Sequence, residues 1–166
     1  MAIIGPEQSA AGAAAAPIVC DWHLSGDLAA LIGAWALDRH VEGVATMSGT
    51  AVFEAGEPGW LAYREAGSLR LASGQSFHAE RRYLFQPRSS GFAVFFAETP
   101  PRLFHDVVLG EERGLISGEA VHRCSPDYYR SRYTFRSDGT FSIHHSVSGP
   151  RKSYSMDTLY RRLGPQ

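Results

Sequence analysis

Hydrophobic and polar residues alternate along most of the chain after residue 33. The alternation comes in segments of about six to ten residues rich in Val, Phe, Tyr and Trp, and Gly, Pro, Ser or Asp separates one segment from the next. A period of two is typical of β-strands that have one buried face. The pattern predicts strands at residues 34–41, 47–54, 59–66, 68–73, 76–86, 91–97, 101–109, 114–124, 128–136, 140–148 and 152–162.

Short turn sequences between the segments predict hairpins that link successive strands. Each contains Gly, Pro, Asp or Ser, which favour the backbone conformations that tight turns require. Strands joined in this way are antiparallel neighbours in a sheet. The predicted turns lie at residues 57–59, 67, 74, 87–91, 125–126, 137–139 and 149–150.

The N-terminal part of the chain does not show this alternation. Residues 1–22 are Ala-rich and lack periodicity, so we expect a flexible leader there and a single domain at 23–166. Residues 1–20 should be dispensable for the fold. The leader has no basic segment, and residues 5–8 interrupt its apolar run, which argues against an export signal.

Only one short helix is predicted beside the strands. Residues 25–27 can cap it, it spans 28–32, and Gly33 ends it. Such a helix cannot cover a large sheet, so the sheet must bury its hydrophobic face against itself. Closure does this and removes the exposed edges. The sequence therefore predicts an all-β fold, a closed antiparallel β-barrel of about eight to ten strands with a short N-terminal helix; a two-sheet sandwich is the alternative.

The composition narrows the classes of partner. The 166 residues carry a formal charge of −1 and a pI near 6.6, whereas a nucleic-acid-binding domain is normally strongly basic. No apolar run approaches the roughly 20 residues of a membrane-spanning helix. Residues 119–166 hold eight basic and four acidic residues, which favours a small anion as ligand. We therefore expect neither nucleic acid nor membrane as a partner, and a homodimer is left open.

Cysteine and lysine are both rare in this chain. Cys20 and Cys124 are too few for a disulfide framework at this length, so we expect a reduced, cytoplasmic protein. Fifteen of the sixteen basic residues are Arg, and Lys152 is the single lysine. An ammonium group can act as a compact point charge or a titrating amine, which makes Lys152 a candidate functional residue.

Alternation also indicates which side chains face the barrel interior. Arg81 and Tyr83 share one face of their strand with other aromatic residues, and Tyr129 and Tyr133 share a face of another strand. Burying Arg81 without a partner would be costly. Either Glu65 on a neighbouring strand or an anionic ligand can compensate it, and barrels of this size have room for one small molecule.

The densest group of reactive side chains begins at His122. His122 and Cys124 share a face before a turn, and Asp127 follows that turn. His122 and Cys124 can hold a metal together with Asp127, His144 or His145. Cys124 can also act as a nucleophile with His122 as its base. Asp127 can instead accept backbone hydrogen bonds in the turn, or orient His122.

Motifs at both ends of the domain resemble those of lipocalins and other calycins. Gly33 and Trp35 start the first strand as Gly-x-Trp, and Arg161 and Arg162 end the last strand. The resemblance implies that one of these two arginines stacks on Trp35 at the closed end of the barrel, as a cation–π contact.

The chain more specifically resembles an uncharacterised bacterial family of lipocalin-like domains of unknown function. The resemblance implies a fold and a set of candidate pocket residues, and it implies no activity. The second and third lipocalin motifs are not recognisable. The matching motifs are Gly49-x-Ala51-x-Phe53, Tyr63-x-Glu65-x-Gly67, Phe77-x-Ala79-x-Arg81-x-Tyr83, His122-x-Cys124-x-x-Asp127-x-Tyr129, Gly149-Pro150-x-Lys152-x-Tyr154 and Tyr160-x-Arg162.

Together these expectations predict that the protein is a ligand-binding barrel. We expect it to bind one small, partly apolar, anionic molecule in its interior without a cofactor, with Arg81, His122 and Lys152 converging on the cavity. The alternatives are a haem or metal protein, a protein-interaction module, and a barrel enzyme of the isomerase, cyclase or lyase type that uses His122, Cys124, Asp127 and Lys152. The candidate ligand-binding residues are Arg81, Tyr83, His122, Cys124, Asp127, Tyr129, Tyr133, Lys152 and Tyr154.

Overall fold

A computed structural model describes Trp22 and residues 28–164 of the chain. These residues form one short 3-10 helix at Leu28–Leu31 and ten β-strands. The strands are β1 (Gly33–Val41), β2 (Ala45–Ala55), β3 (Leu61–Leu71), β4 (Ser76–Arg88), β5 (Gly91–Phe96), β6 (Arg102–Glu112), β7 (Leu115–Cys124), β8 (Asp127–Phe135), β9 (Phe141–Ser148) and β10 (Ser153–Arg162).

The ten strands form one closed barrel. Each strand pairs antiparallel with the next one in the chain, and β10 pairs with β1 to close the sheet. The predicted all-β antiparallel barrel is therefore confirmed, and the two-sheet sandwich is excluded. Alternation sets the two faces as expected, because inward residues are mostly buried and outward residues are mostly exposed; the inward positions of β4 near Phe77 and Arg81 are the clearest exception.

One predicted turn is wrong. The segments predicted as strands at 59–66 and 68–73 form the single strand β3, and Gly67 lies inside it. Gly67 pairs with Gly49 on β2, and a Cβ atom built on Gly67 would lie 2.4 Å from the carbonyl oxygen of Ser48. The two glycines therefore allow a close approach of the β2 and β3 backbones, and glycine within a strand commonly marks such an approach.

Trp35 and Arg162 stack at the end of the barrel where β1 begins. The guanidinium carbon of Arg162 lies 4.3 Å from the centre of the Trp35 ring, which confirms the predicted contact. The Trp35 Nε1–H donates to the carbonyl oxygen of Leu31 at 2.8 Å, and Arg162 donates to that of Ile32 at 2.9 Å. These bonds attach the 3-10 helix to the barrel end. Arg161 instead forms an ion pair with Asp38 on the outer surface.

Most of the predicted leader lies outside the described residues, and so do the predicted helix-capping residues 25–27. Trp22 is described, and its ring lies 4.7 Å from that of Phe135 while its Nε1–H donates to the carbonyl oxygen of Arg136 at 2.8 Å. The division between leader and domain stays a prediction. Within the described part of the chain, no helix has the length and apolar character to span a membrane.

Candidate functional site

The barrel encloses a cavity of about 610 Å³, which is within the usual range for small-molecule sites. Its floor lies at the Trp35 end, where inward positions at the strand ends carry aromatic rings. Its opening lies at the opposite end, near His122, Cys124 and Tyr129. The floor residues are Phe53, Phe85, Phe92, Phe135 and Phe141.

A buried ion pair crosses the cavity wall between β1 and β3. Arg39 donates from Nη1 and Nη2 to the two Glu65 oxygens at 2.6 and 2.7 Å, and from Nε to the Thr158 hydroxyl at 2.9 Å. The Tyr63 hydroxyl also donates to Glu65. Burial raises the pKa of Glu65, but the hydrogen bonds and charge of Arg39 outweigh burial and hold that pKa below its usual value. Glu65 is therefore ionised, and protein side chains satisfy its carboxylate without a ligand.

Arg81 lies near the Glu65 carboxylate but forms no hydrogen bond with it. Its Nε lies 3.9 Å from the Glu65 Oε1 atom that Arg39 already engages, and its side chain is 45% exposed. The contact is too long for a hydrogen bond. Glu65 therefore compensates the charge of Arg81 only in part. The Tyr83 hydroxyl is a further, uncharged neighbour of the Arg81 side chain, and both residues line the cavity.

The interior carries more positive than negative charge. Arg39, Arg81 and Arg102 occupy inward positions of the lining, and Glu65 is its single carboxylate among the described residues. Arg82 and Arg130 also border the cavity, but they occupy outer-face positions of their strands. Arg102 is paired with Glu98 at 2.9 Å, which leaves Arg81 as the inward arginine with the weakest compensation.

Four side chains form a hydrogen-bonded relay in the cavity wall. The Tyr133 hydroxyl lies 2.8 Å from His105 Nδ1, His105 Nε2 lies 3.0 Å from the Ser131 hydroxyl, and that hydroxyl lies 2.6 Å from His145 Nδ1. Sequence reasoning identified Tyr133 as a pocket residue and His145 only as a metal-ligand candidate. It missed His105 and Ser131, although the inward position of Ser131 between Tyr129 and Tyr133 was a usable signal.

Both relay histidines are neutral at neutral pH. Burial lowers the pKa of His105 to about 3, and the neighbouring imidazoles of His145 and His122 lower this pKa further. Burial likewise lowers the pKa of His145 to about 3, assisted by the positive charges of Arg39 and Arg81. The relay is therefore a chain of neutral hydrogen-bonding groups.

The mouth of the cavity contains several of the predicted site residues. His122, Cys124, Tyr129 and Tyr154 all line it. The His122 ring packs edge-on against Tyr129 at 6.3 Å between ring centres, and it has no hydrogen bond to any residue of the described chain. Cys124 is a free, exposed thiol.

Asp127 and Lys152 lie outside the cavity lining and bind each other. The Lys152 Nζ atom lies 3.0 Å from Asp127 Oδ2 and 3.3 Å from the Tyr129 hydroxyl. The Asp127 carboxylate packs over Gly149, where a Cβ atom would lie 1.9 Å from Oδ1. The ion pair raises the pKa of Lys152 to about 12, mainly through the hydrogen bond to Asp127. The expected convergence of Lys152 with Arg81 and His122 on the cavity is therefore wrong, and Asp127 does not orient His122.

The metal hypothesis finds no complete ligand set in the part of the chain that the structure describes. No three His, Cys, Asp or Glu side chains are grouped there in a way that could hold a metal ion. His122 and Cys124 both line the cavity mouth. Asp127 forms an ion pair with Lys152, and His145 is hydrogen-bonded to Ser131. The haem alternative stays a hypothesis.

The fold and the cavity together define a closed antiparallel β-barrel with an internal site of small-molecule size. The chain belongs to a family of unknown function, DUF6314, whose sequence profile matches residues 31–162. A family of unknown function was expected, whereas the lipocalin-like character of the resemblance stays a prediction. No curated protein matches the chain significantly.

Three solved structures resemble the barrel weakly. They are EF1p2_mFAP2b and the redesigned beta barrels mFAP0 and mFAP1, each bound to DFHBI. Their TM-scores are 0.41, 0.38 and 0.37, and their sequence identities are 11%, 15% and 14%. They cover 85%, 80% and 82% of this chain, and 100%, 99% and 100% of their own chains. Likeness at this level supports no inference about a ligand of this chain.

Proposed function

We propose that the barrel binds one small anionic molecule with a partly apolar body in its cavity. The observation that carries the proposal is the position of Arg81. It lines the cavity, yet its Nε is 3.9 Å from a carboxylate that Arg39 and Tyr63 already satisfy. An acidic group on a ligand would give Arg81 the close, charged hydrogen bond that Glu65 does not supply.

The rest of the lining suits an apolar ligand body. The phenylalanine floor offers a surface on which a ring or short hydrocarbon chain loses contact with water, and apolar burial contributes about 25 cal/mol per Å². Tyr83, Tyr129, Tyr133 and Tyr154 line the walls above the floor. Lys152 and Asp127 contribute to the site indirectly, because the ammonium group of Lys152 donates a hydrogen bond to the hydroxyl of the wall residue Tyr129 from outside the cavity.

The enzyme alternative has less support. Of its candidate residues, His122 and Cys124 line the cavity mouth, whereas Asp127 and Lys152 bind each other outside the lining. The carboxylate and the ammonium group neutralise each other outside the cavity. We therefore propose binding and assign no reaction to the site.

Two matched probes test the proposal. Phenylbutyrate carries an apolar ring and a carboxylate, and phenylbutyramide has the same skeleton without the charge. Titration calorimetry on the full chain should show tighter binding of the acid. Arg81→Met should weaken acid binding by roughly 1–3 kcal/mol, the scale of a charged hydrogen bond, and leave amide binding unchanged.

Arg64→Met is the matched control. Arg64 lies on β3 and outside the cavity lining, with its side chain exposed on the outer face beside Arg82, so this variant removes an equal charge nearby. It should retain the affinity of the wild type for both probes. Equal binding of acid and amide by the wild type, or an Arg81→Met variant that binds the acid normally, would overturn the proposal.

A further inference from the structure

The relay of Tyr133, His105, Ser131 and His145 joins strands that are not all neighbours. Ser131 and His145 face each other across β8 and β9, but His105 reaches Ser131 from β6, with β7 in between. The inward residues of β7 opposite Tyr133 and Ser131 are Gly118 and Ala120. The small Ala120 side chain leaves room for the imidazole to cross β7 next to Ser131, whereas the side chains of Val107 and Leu109 occupy the space over Gly118.

Hydrogen counting limits the relay to three arrangements. Each neutral imidazole has one N–H donor and one bare nitrogen, and the serine hydroxyl has one hydrogen to donate and two lone pairs that can accept. In the first arrangement Tyr133 donates to His105, His105 donates to Ser131, and Ser131 donates to His145. In the second, every one of these bonds is reversed. In the third, Tyr133 donates to His105 and Ser131 accepts from both histidines.

The buried hydroxyl groups of Tyr133 and Ser131 select one of these arrangements. Tyr133 is only 3% exposed, and its hydroxyl has no hydrogen-bond partner besides His105 among the described residues. In the reversed direction the tyrosine hydrogen would be buried without an acceptor, which is unfavourable. If Ser131 accepted from both histidines, its own hydrogen would likewise be buried without an acceptor among the described residues. The arrangement in which Tyr133, His105 and Ser131 each donate to the next residue uses every hydroxyl hydrogen, and it leaves the hydrogen of His145 on Nε2.

We infer that His145 presents an Nε2–H donor to the cavity, and that it selects ligands carrying an uncharged acceptor oxygen such as a ketone. His145 lines the cavity, and its Nε2 has no partner within the described chain. This inference rests on the proposed function, since the acceptor belongs to the same molecule whose acidic group binds near Arg81. The ligand class is then an apolar-bodied carboxylic acid with a carbonyl oxygen.

His145 would act as a specificity residue, with Tyr133, His105 and Ser131 as positioning residues. A ketone oxygen accepts the Nε2–H bond without any proton transfer. A methylene group at the same place would leave the N–H unpaired, and a hydroxyl would have to turn its own hydrogen elsewhere. Sites built around a fixed donor discriminate in this way because the wrong ligand leaves a buried polar group unpaired.

Nitrogen NMR of the histidine rings tests the relay without a ligand. Full-length, nitrogen-labelled protein near neutral pH should show neutral His105 and His145, each with its hydrogen on Nε2. In Tyr133→Phe the hydrogen that fixes the direction is gone, so His145 should populate the tautomer with hydrogen on Nδ1. A wild-type His145 that carries hydrogen on Nδ1, or on both nitrogens, would overturn the inference whatever the variant does.

Binding of two acids tests the selectivity. Benzoylpropionate is phenylbutyrate with a ketone beside the ring, and the ratio of their dissociation constants measures the preference for the ketone. His145→Phe should reduce that preference by roughly 3- to 10-fold, the value of one neutral hydrogen bond. His144→Phe, on the outer face and paired with Asp157, is the matched control and should leave it unchanged.

The outcomes separate this inference from the proposed function. Equal binding of both acids by wild type and His145→Phe overturns the selectivity of His145 while the anion site stands. If the wild type binds neither acid, both the proposed function and this inference fail. A lost ketone preference in His145→Phe, together with the expected tautomers, supports both.

Discussion

His105 illustrates how one buried side chain couples the cavity wall to pH. The unfolded chain binds a proton on this residue below about pH 6.5, whereas the folded protein does so only near a pKa of about 3. Between these values the unfolded state holds the extra proton. Stability therefore falls as the pH falls through this window, by about 1.4 kcal/mol per pH unit for each such histidine.

His105→Gln should flatten this dependence. Glutamine can keep hydrogen bonds to Tyr133 and Ser131 but does not titrate. Between about pH 6 and pH 4.5, the slope of the unfolding free energy against pH should therefore fall by roughly 1.4 kcal/mol per pH unit. Urea unfolding at several pH values measures this slope. Glu65 also loses stabilising ionisation at low pH, but it does so in both proteins and leaves the difference intact. An unchanged slope would contradict a neutral, buried His105.

The alternation of hydrophobic and polar residues was sufficient to predict which side chains face the barrel interior. Arg81, Tyr83, His122, Cys124 and Tyr129 were assigned to the interior correctly, because alternation fixes the face of the sheet. Alternation does not fix which inward residue meets which across the barrel.

Two results at the residue level could not be read from the sequence. The bond between His105 and Ser131 crosses β7 at the small residue Ala120, and the pairing of Lys152 with Asp127 depends on the space above Gly149. Both follow from contacts between segments that only the folded barrel brings together.

At the scale of elements, the 3-10 helix and the end of β10 close one end of the barrel through Trp35. Trp35 is fully buried but does not belong to the cavity lining, so its role is structural. Arg162 stacks on it and also donates to the carbonyl oxygen of Ala30 in the helix. The Gly-x-Trp motif and the closing arginine were sufficient to predict this contact.

Trp35→Phe should therefore lower stability without affecting binding. The cation–π contact contributes on the order of 1 kcal/mol, and the indole hydrogen bond to Leu31 is lost as well. Arg162→Met should behave similarly, whereas Arg161→Met removes only an exposed ion pair and should cost less than about 0.5 kcal/mol. Urea unfolding and phenylbutyrate titration provide the two readouts. A loss of affinity in Trp35→Phe comparable to that in Arg81→Met would place Trp35 in the site.

Strand boundaries were less predictable than strand existence. Gly67 was interpreted as a turn because glycine, without its partner strand, signals both turns and close backbone approaches. Only the pairing with Gly49 decides between the two. Gly74 and Gly139, by contrast, have positive φ angles of 93° and 83° at hairpin turns, as predicted.

At the scale of the whole molecule, closure is what creates the site. A sheet that pairs β1 with β10 has no free edge, so its inward aromatic face forms a lined cavity. The sequence predicted closure because nothing else in the chain could cover the sheet. The cytoplasmic location and the homodimer stay predictions.

The central claim is that one small acid occupies this cavity beside Arg81. Native mass spectrometry of the full chain, purified from its own host, tests it most directly. One bound small molecule per chain should be released on denaturation and detected as a carboxylic acid. Arg81→Met prepared in the same way should lose it, and Arg64→Met should keep it. A wild-type chain that carries no small molecule, or one that carries an uncharged molecule equally well retained by Arg81→Met, would contradict an acid site beside Arg81.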